Sequence, residues 1–122
     1  MLLSIIEIGA YPNFTPLYEK AGYTVTIERS MRKALPQVRK LKPAVIVAEF
    51  NFQSDFRDRT SSLESLLAVV QTLPATKVIV FYDADQAHQF ARLQSRFPIQ
   101  EALAYPIDPD RLAAALSRAD SN

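Results

Sequence analysis

Two runs, Val45-Ile46-Val47-Ala48 and Val78-Ile79-Val80-Phe81, are apolar at every position and rich in β-branched residues. A strand wetted on one face alternates apolar with polar residues, so an unbroken apolar run of this length belongs to a strand covered on both faces. Such strands occur in parallel sheets held between layers of helices, and the rest of the chain keeps the matching rhythm. Strand-like runs recur at Leu2 to Ile8, Tyr23 to Ile27, Ala44 to Phe50, Lys77 to Tyr82 and Glu101 to Tyr105, with stretches of helical period between them. That alternation is the pattern of βαβ units. Tyr23-Thr24-Val25-Thr26-Ile27 alternates, which assigns it to an edge, while the two unbroken runs take interior places.

The helical stretches carry their own punctuation. Ser61 to Glu64 fits a capping box, and Leu63, Leu66, Leu67, Val70 and Leu73 form a stripe that Pro74 stops. Asp108 before Pro109 reads as a cap with proline at the first helical position, followed by Leu112 and Leu116 on one face. Asp83 or Asp85 caps a helix through Phe90 and Leu93 that ends near Pro98, and Gly22 suits the left-handed residue after a short helix from Pro16 to Ala21. Met31, Leu35, Val38 and Leu41 make a fourth stripe, with Pro36 inside it; the missing amide proton predicts a kink or a late start.

At 122 residues the chain is expected to be one domain, residues 1–122, with no linker or internal repeat. Its 48% hydrophobic and 22% charged residues are ordinary for a globular protein, and a net charge of +1 argues against bulk nucleic-acid binding. The absence of cysteine excludes disulfides, thiolate nucleophiles and thiolate zinc sites, and suits a reducing compartment; the cytoplasm is the expected location. The apolar start, Met1 to Ile6, has no basic region before it and is broken by Glu7, far short of the roughly 20 residues of a membrane-spanning helix. Neither a signal peptide nor a membrane anchor is expected. The two glycines, Gly9 and Gly22, lie in no glycine-rich run, so no phosphate or dinucleotide loop and no cofactor is expected.

The element order is that of flavodoxin-like folds, with three layers and a five-stranded parallel sheet in the order 2-1-3-4-5, whose ligand sites lie at the carboxyl ends of the strands. Two segments, Pro43-Ala44-Val45-Ile46-Val47-Ala48-Glu49 and Tyr105-Pro106-Ile107-Asp108, fall at the ends of the third and fifth strands. On them the chain resembles the receiver (CheY-like) domains of two-component response regulators: the first is similar to the family's proline, strand and phosphoaccepting aspartate, with Glu49 at the acceptor, and the second to its lysine-proline segment, with Tyr105 at the lysine. The resemblance implies two acidic residues after the first strand that help hold magnesium, and a serine or threonine after the fourth. The chain has Glu7 followed by Ile8, and Tyr82, in those places.

These departures weaken the chemistry the resemblance implies. The extra methylene of Glu49 displaces the nucleophile by about an ångström, which costs on the order of a hundredfold in rate. Tyr105 donates a hydrogen bond but brings no cation to the phosphoryl oxygens, and Ile8 removes a hard oxygen ligand. Glu49 then reads either as a fixed carboxylate mimicking part of a phosphorylated state or as a polar strand end satisfied by neighbouring amides. Glu7 and Glu49 offer two oxygens to a divalent ion but lack the rest of its shell, so no metal site is assigned. His88, the single histidine, has no cysteine or glycine-flanked serine to serve in acyl transfer.

Two features bear on partners. Arg29, Arg32, Lys33, Arg39, Lys40 and Lys42 fall within fourteen residues that hold no acid, a positive helix face that is either merely solvated or a nucleic-acid contact that a steep salt dependence would reveal. The segment Asn51 to Thr60 follows the third strand and carries Phe52, Phe56, Arg57 and Arg59, residue types that interfaces favour; alternatively its aromatics fold onto the core and its charges pair among themselves. The sequence reading is therefore a non-catalytic, phosphorylation-independent pseudo-receiver, a signalling or scaffold domain. It works by contact with another protein through Phe52, Phe56, Arg57 and Arg59, beside a degenerate pocket of Glu7, Glu49, Tyr82 and Tyr105. A homodimer is one admissible form, nucleic acid and membrane are not expected partners, and with no output domain in the chain the signal is expected to leave through a separate protein. The competing reading is a small flavodoxin-like enzyme or ligand-binding protein that uses the same strand-end pocket.

Overall fold

The structure, a computed structural model, describes residues 1–6, 11–50 and 62–120. Among them, strands β1 (Leu2–Ile5), β2 (Val25–Glu28), β3 (Val45–Glu49), β4 (Lys77–Tyr82) and β5 (Glu101–Ala104) form one sheet in the order β2-β1-β3-β4-β5, every pair parallel. The expected topology and fold class are therefore observed. β3 lies at the centre, with Ile46 beside Leu3 of β1 and Val78 of β4, and it is buried at every position. Burial on this scale is the main stabilising term, about 1.5–3 kcal/mol for each large side chain taken wholly from water. β2 is an edge, as its alternation requires, and it starts at Val25 rather than Tyr23. The Tyr23 amide donates instead to the Tyr18 carbonyl, closing the preceding helix.

Helices α1 (Thr15–Lys20) and α5 (Pro109–Asp120) cover one face of the sheet, while α2 (Met31–Leu41), α3 (Ser62–Val70) and α4 (Ala87–Gln94) cover the other. On the first side Tyr18, Leu112, Ala115 and Leu116 pack on Leu2, Val45, Val47, Ile79 and Phe81. On the second, Ala34, Val38, Leu63, Leu66, Leu67, Phe90 and Leu93 pack on Leu3, Ile5, Ile46, Ala48, Val78 and Val80. The strand residues alternate between the two lists because successive side chains in a strand point to opposite faces.

Two of the expected caps act at their helices, α5 and α1, while Asp83 caps a 3-10 turn rather than α4, whose N-cap Gln86 makes no side-chain cap bond. Asp108 accepts from the Asp110 amide at 2.9 Å, Asp83 accepts from the Asp85 amide at 2.9 Å ahead of a 3-10 turn, Ala84–Gln86, that leads into α4, and Gly22 takes φ +98° after α1. The capping box at Ser61 falls outside the described residues. α2 does not start late: it begins at Met31 on the Ser30 cap and stays helical through Pro36. Pro36 is on the exposed side, where solvent can satisfy the Arg32 carbonyl that loses its partner. The core-facing stripe also shifts, with Ala34 buried and Leu41 exposed. No helix among the described residues is long and apolar enough to cross a membrane.

Candidate functional site

Pleat parity sorts the residues at the carboxyl edge of the sheet. Val45 and Val47 of β3 turn toward α1 and α5, and Glu49, two residues on, shares their parity. Glu49 ends β3, pairs in register with Phe81 and is only 4% exposed. Phe81 and Leu103 face the same way, and Tyr105 follows Leu103 at the same spacing just past β5, where its amide donates to the Tyr82 carbonyl at 2.8 Å. The Tyr105–Pro106 peptide is cis.

Into this corner comes Tyr11, from the segment leading to α1. Its ring lies 5.2 Å from that of Phe81 and 5.7 Å from that of Tyr105, the latter edge to face at 72°. Phe14 adds an edge-on contact to Phe81 at 5.9 Å and continues to Tyr18 at 6.4 Å. Quadrupoles favour such tilted pairs, so the rings form a continuous apolar support across the strand ends. Burial, then the Glu49 carboxylate, then Asp83 and Tyr105 push the Tyr11 phenol up to about 12. It is therefore a neutral hydrogen-bond donor throughout the physiological range, set among acidic groups.

Tyr82 is elsewhere. One residue past Phe81, it turns to the α4 side, stacked on Phe90 at 4.7 Å and 22°, with Phe50 on Phe90 at 5.3 Å. Of the four residues expected to share a pocket, the structure thus brings Glu49 and Tyr105 around Tyr11 and sets Tyr82 on the opposite face of the sheet; Glu7 falls outside the described residues. Phe52, Phe56, Arg57 and Arg59 also lie outside them. His88 is exposed on α4. Tyr11 is the residue the sequence reading passed over. Its only sequence signal is the aromatic spacing of Tyr11, Phe14 and Tyr18 after the first strand.

The arrangement provides a phenol donor, a buried carboxylate and a half-exposed second phenol, with an aromatic wall at their back. Among the described residues no group of three or more His, Asp or Glu is placed to hold a metal ion. A cleft of about 260 Å³ adjoins Tyr11 on the β2 side, lined by Ser4, Ile6, Phe14 and Arg29. A larger one of about 610 Å³ lies between α1 and α5, with Leu17, Lys20, Asp110 and Ala113 on its walls, and includes neither Glu49 nor Tyr105.

No protein-family model matches the chain, and no curated protein does. Solved structures match along its whole length. A response regulator receiver domain protein from Clostridium thermocellum superposes with a TM-score of 0.76 at 16% identity, covering 98% of this chain and 94% of that one. A sensor protein from Polaromonas sp. JS666 gives 0.74 at 21% identity, covering 99% and 96%. The Vibrio cholerae chemotaxis protein CheY4 gives 0.73 at 19% identity, covering 97% and 96%. At these identities the likeness is one of fold: the chain has the architecture of a receiver domain.

Proposed function

We propose that this chain is a receiver-fold signalling domain that transfers no phosphoryl group and acts as a fixed interaction module for another protein. The observation that carries the reading is the aromatic strand-end corner, where Tyr11 packs between Phe81 and Tyr105 beside the buried Glu49. A phosphoacceptor needs an in-line carboxylate, a cation for the developing charge and room for the phosphoryl oxygens. At this corner a longer carboxylate stands at the strand end, a tyrosine stands in the lysine position, and an aromatic ring lies against it.

The partner surface in this reading is the segment after β3 carrying Phe52, Phe56, Arg57 and Arg59, next in sequence to the corner. A domain that is not switched is read through fixed shape, and anchors on a rigid scaffold are presented at modest entropic cost. Replacing Phe56 and Arg57 together by alanine is expected to weaken recovery of the partner by about 2 kcal/mol or more while the melting temperature holds.

The loss of phosphoryl chemistry is tested by NMR titration with beryllofluoride and magnesium, and with acetyl phosphate. The expected outcome is no saturable shift at Glu49, Phe81 or Tyr105. Saturable shifts there would restore phosphorylation as the signal. Saturation centred instead on Ser4, Tyr11 and Arg29 would favour the ligand-binding alternative, which draws its support from the 260 Å³ cleft.

A further inference from the structure

Arg29, Arg32, Lys33, Arg39, Lys40 and Lys42 are all exposed. The rest of the chain has eight basic residues against thirteen acids, a net charge of −5, so nearly all the excess positive charge of the molecule sits on and beside α2. Among the described residues the ion pairs are Arg96 with Glu64 and Arg118 with Glu101, and neither involves α2. Glu28, at the end of β2, accepts from the Gln37 amide at 2.9 Å and the Arg29 amide at 3.0 Å, and the Gln37 bond holds its carboxyl below the usual range.

Helix stability does not account for this distribution. Arg39 and Lys40 lie in the last turn, where cations complement the helix dipole. Arg32 and Lys33 lie in the first turn, which contains no acid and where positive charge opposes the dipole. Lys33 also stands three residues after the capping Ser30, the place where glutamate would complete a capping box. Positive charge thus stands where local stability favours negative charge.

The geometry suits an elongated anionic strip. Arg32 with Arg39, and Lys33 with Lys40, form two rows about 10 Å long at the helical rise per residue, straddling the exposed Pro36. We infer that the outer face of α2 docks an acidic segment of a protein partner, one that sets several carboxylates against Arg32, Lys33, Arg39 and Lys40. The inference rests on the reading of the chain as a protein-interaction domain and adds a second surface with a stated chemistry.

A short acidic segment is favoured over nucleic acid or membrane by the range of the charge. With a Debye length of about 8 Å at physiological salt, a segment lying on α2 feels the local cations and little else. A duplex or a bilayer spans far more of the surface and meets a molecule whose net charge is only +1. α2 also carries no aromatic side chain on which a single-stranded base could stack.

The test uses the isotope-labelled full chain titrated with a synthetic glutamate-rich peptide, alongside duplex DNA and phosphatidylserine vesicles. Expected are saturable amide shifts confined to residues 29–42, an affinity that falls about tenfold or more from low to physiological salt, and tightest binding to the peptide. The variant Arg32→Gln, Arg39→Gln is expected to bind about tenfold more weakly at an unchanged melting temperature. Absence of saturable shifts, shifts elsewhere, unchanged binding by the variant, or tighter binding of DNA or vesicles would each overturn the inference. If the α2 variant binds normally while Phe56→Ala, Arg57→Ala still abolishes partner recovery, the inference falls and the interaction-domain reading stands.

Discussion

Phe81 and Tyr82 are neighbours in sequence and lie in different environments. Phe81 supports the corner of Tyr11, Phe14 and Tyr105, into which the Glu49 and Asp83 charges reach. Tyr82 stacks on Phe90, which also holds Phe50, in a patch continuous with the core under α2, α3 and α4. Among the described residues, one side of the sheet's carboxyl edge therefore gathers polar groups braced by rings, and the other is an aromatic packing patch. A single β-strand carries both because its side chains alternate, so the character of a position at a strand end follows from its parity more than from its distance to the presumed site.

The largest effect should come from the packing side. Phe90→Ala removes a ring that is 2% exposed and two aromatic contacts with it, for a loss on the order of 3–5 kcal/mol in denaturant unfolding, without moving the Tyr11 and Tyr105 ring resonances at neutral pH. A shift of those resonances would show that the two sides are coupled. Tyr82→Ala, at a partly buried position, should cost about 2 kcal/mol through the lost stack and area. A negligible cost would mean that Tyr82 does not share the packing side.

Tyr11→Phe keeps the ring and removes only the hydroxyl, so stability at neutral pH should change by no more than about 1 kcal/mol. Its signature lies at high pH. A tyrosine whose folded pKa is about 12 against an ordinary value of 10.0 contributes stability that is complete below pH 10 and is lost as pH rises toward 12. Tyr11→Phe should therefore flatten part of the alkaline loss of stability, leaving the part that belongs to Tyr18, whose phenol is also pushed up by burial. An unchanged alkaline profile would remove Tyr11 from the acidic corner. The smallest effect lies away from both sides: Arg32→Glu places an acid in the first turn of α2 and should raise stability by about 0.3–1 kcal/mol, with the ring resonances of Tyr11 and Phe90 as controls that neither side has moved.

Much of this architecture is local in origin and could be read from the chain. The unbroken runs at Val45 and Val78 require burial on both faces, the alternation from Val25 requires an edge, and Asp83, Asp108 and Gly22 act within a few residues of themselves; together with the preference for short connections these determine a parallel sheet in the order 2-1-3-4-5. The tertiary structure decided what depends on residues far apart in sequence. Tyr11 reaches the corner only because β4 and β5 place Phe81 and Tyr105 there, and the same strand that carries Phe81 toward Tyr11 sends Tyr82 to Phe90. Ala34 rather than Leu41 meets the core because the rotation of α2 is set by its packing on β1 and α3. Hydrophobic period states that an element has a buried face, but which side chain lands where is fixed by the surfaces it packs against, and those surfaces exist only after the chain has folded.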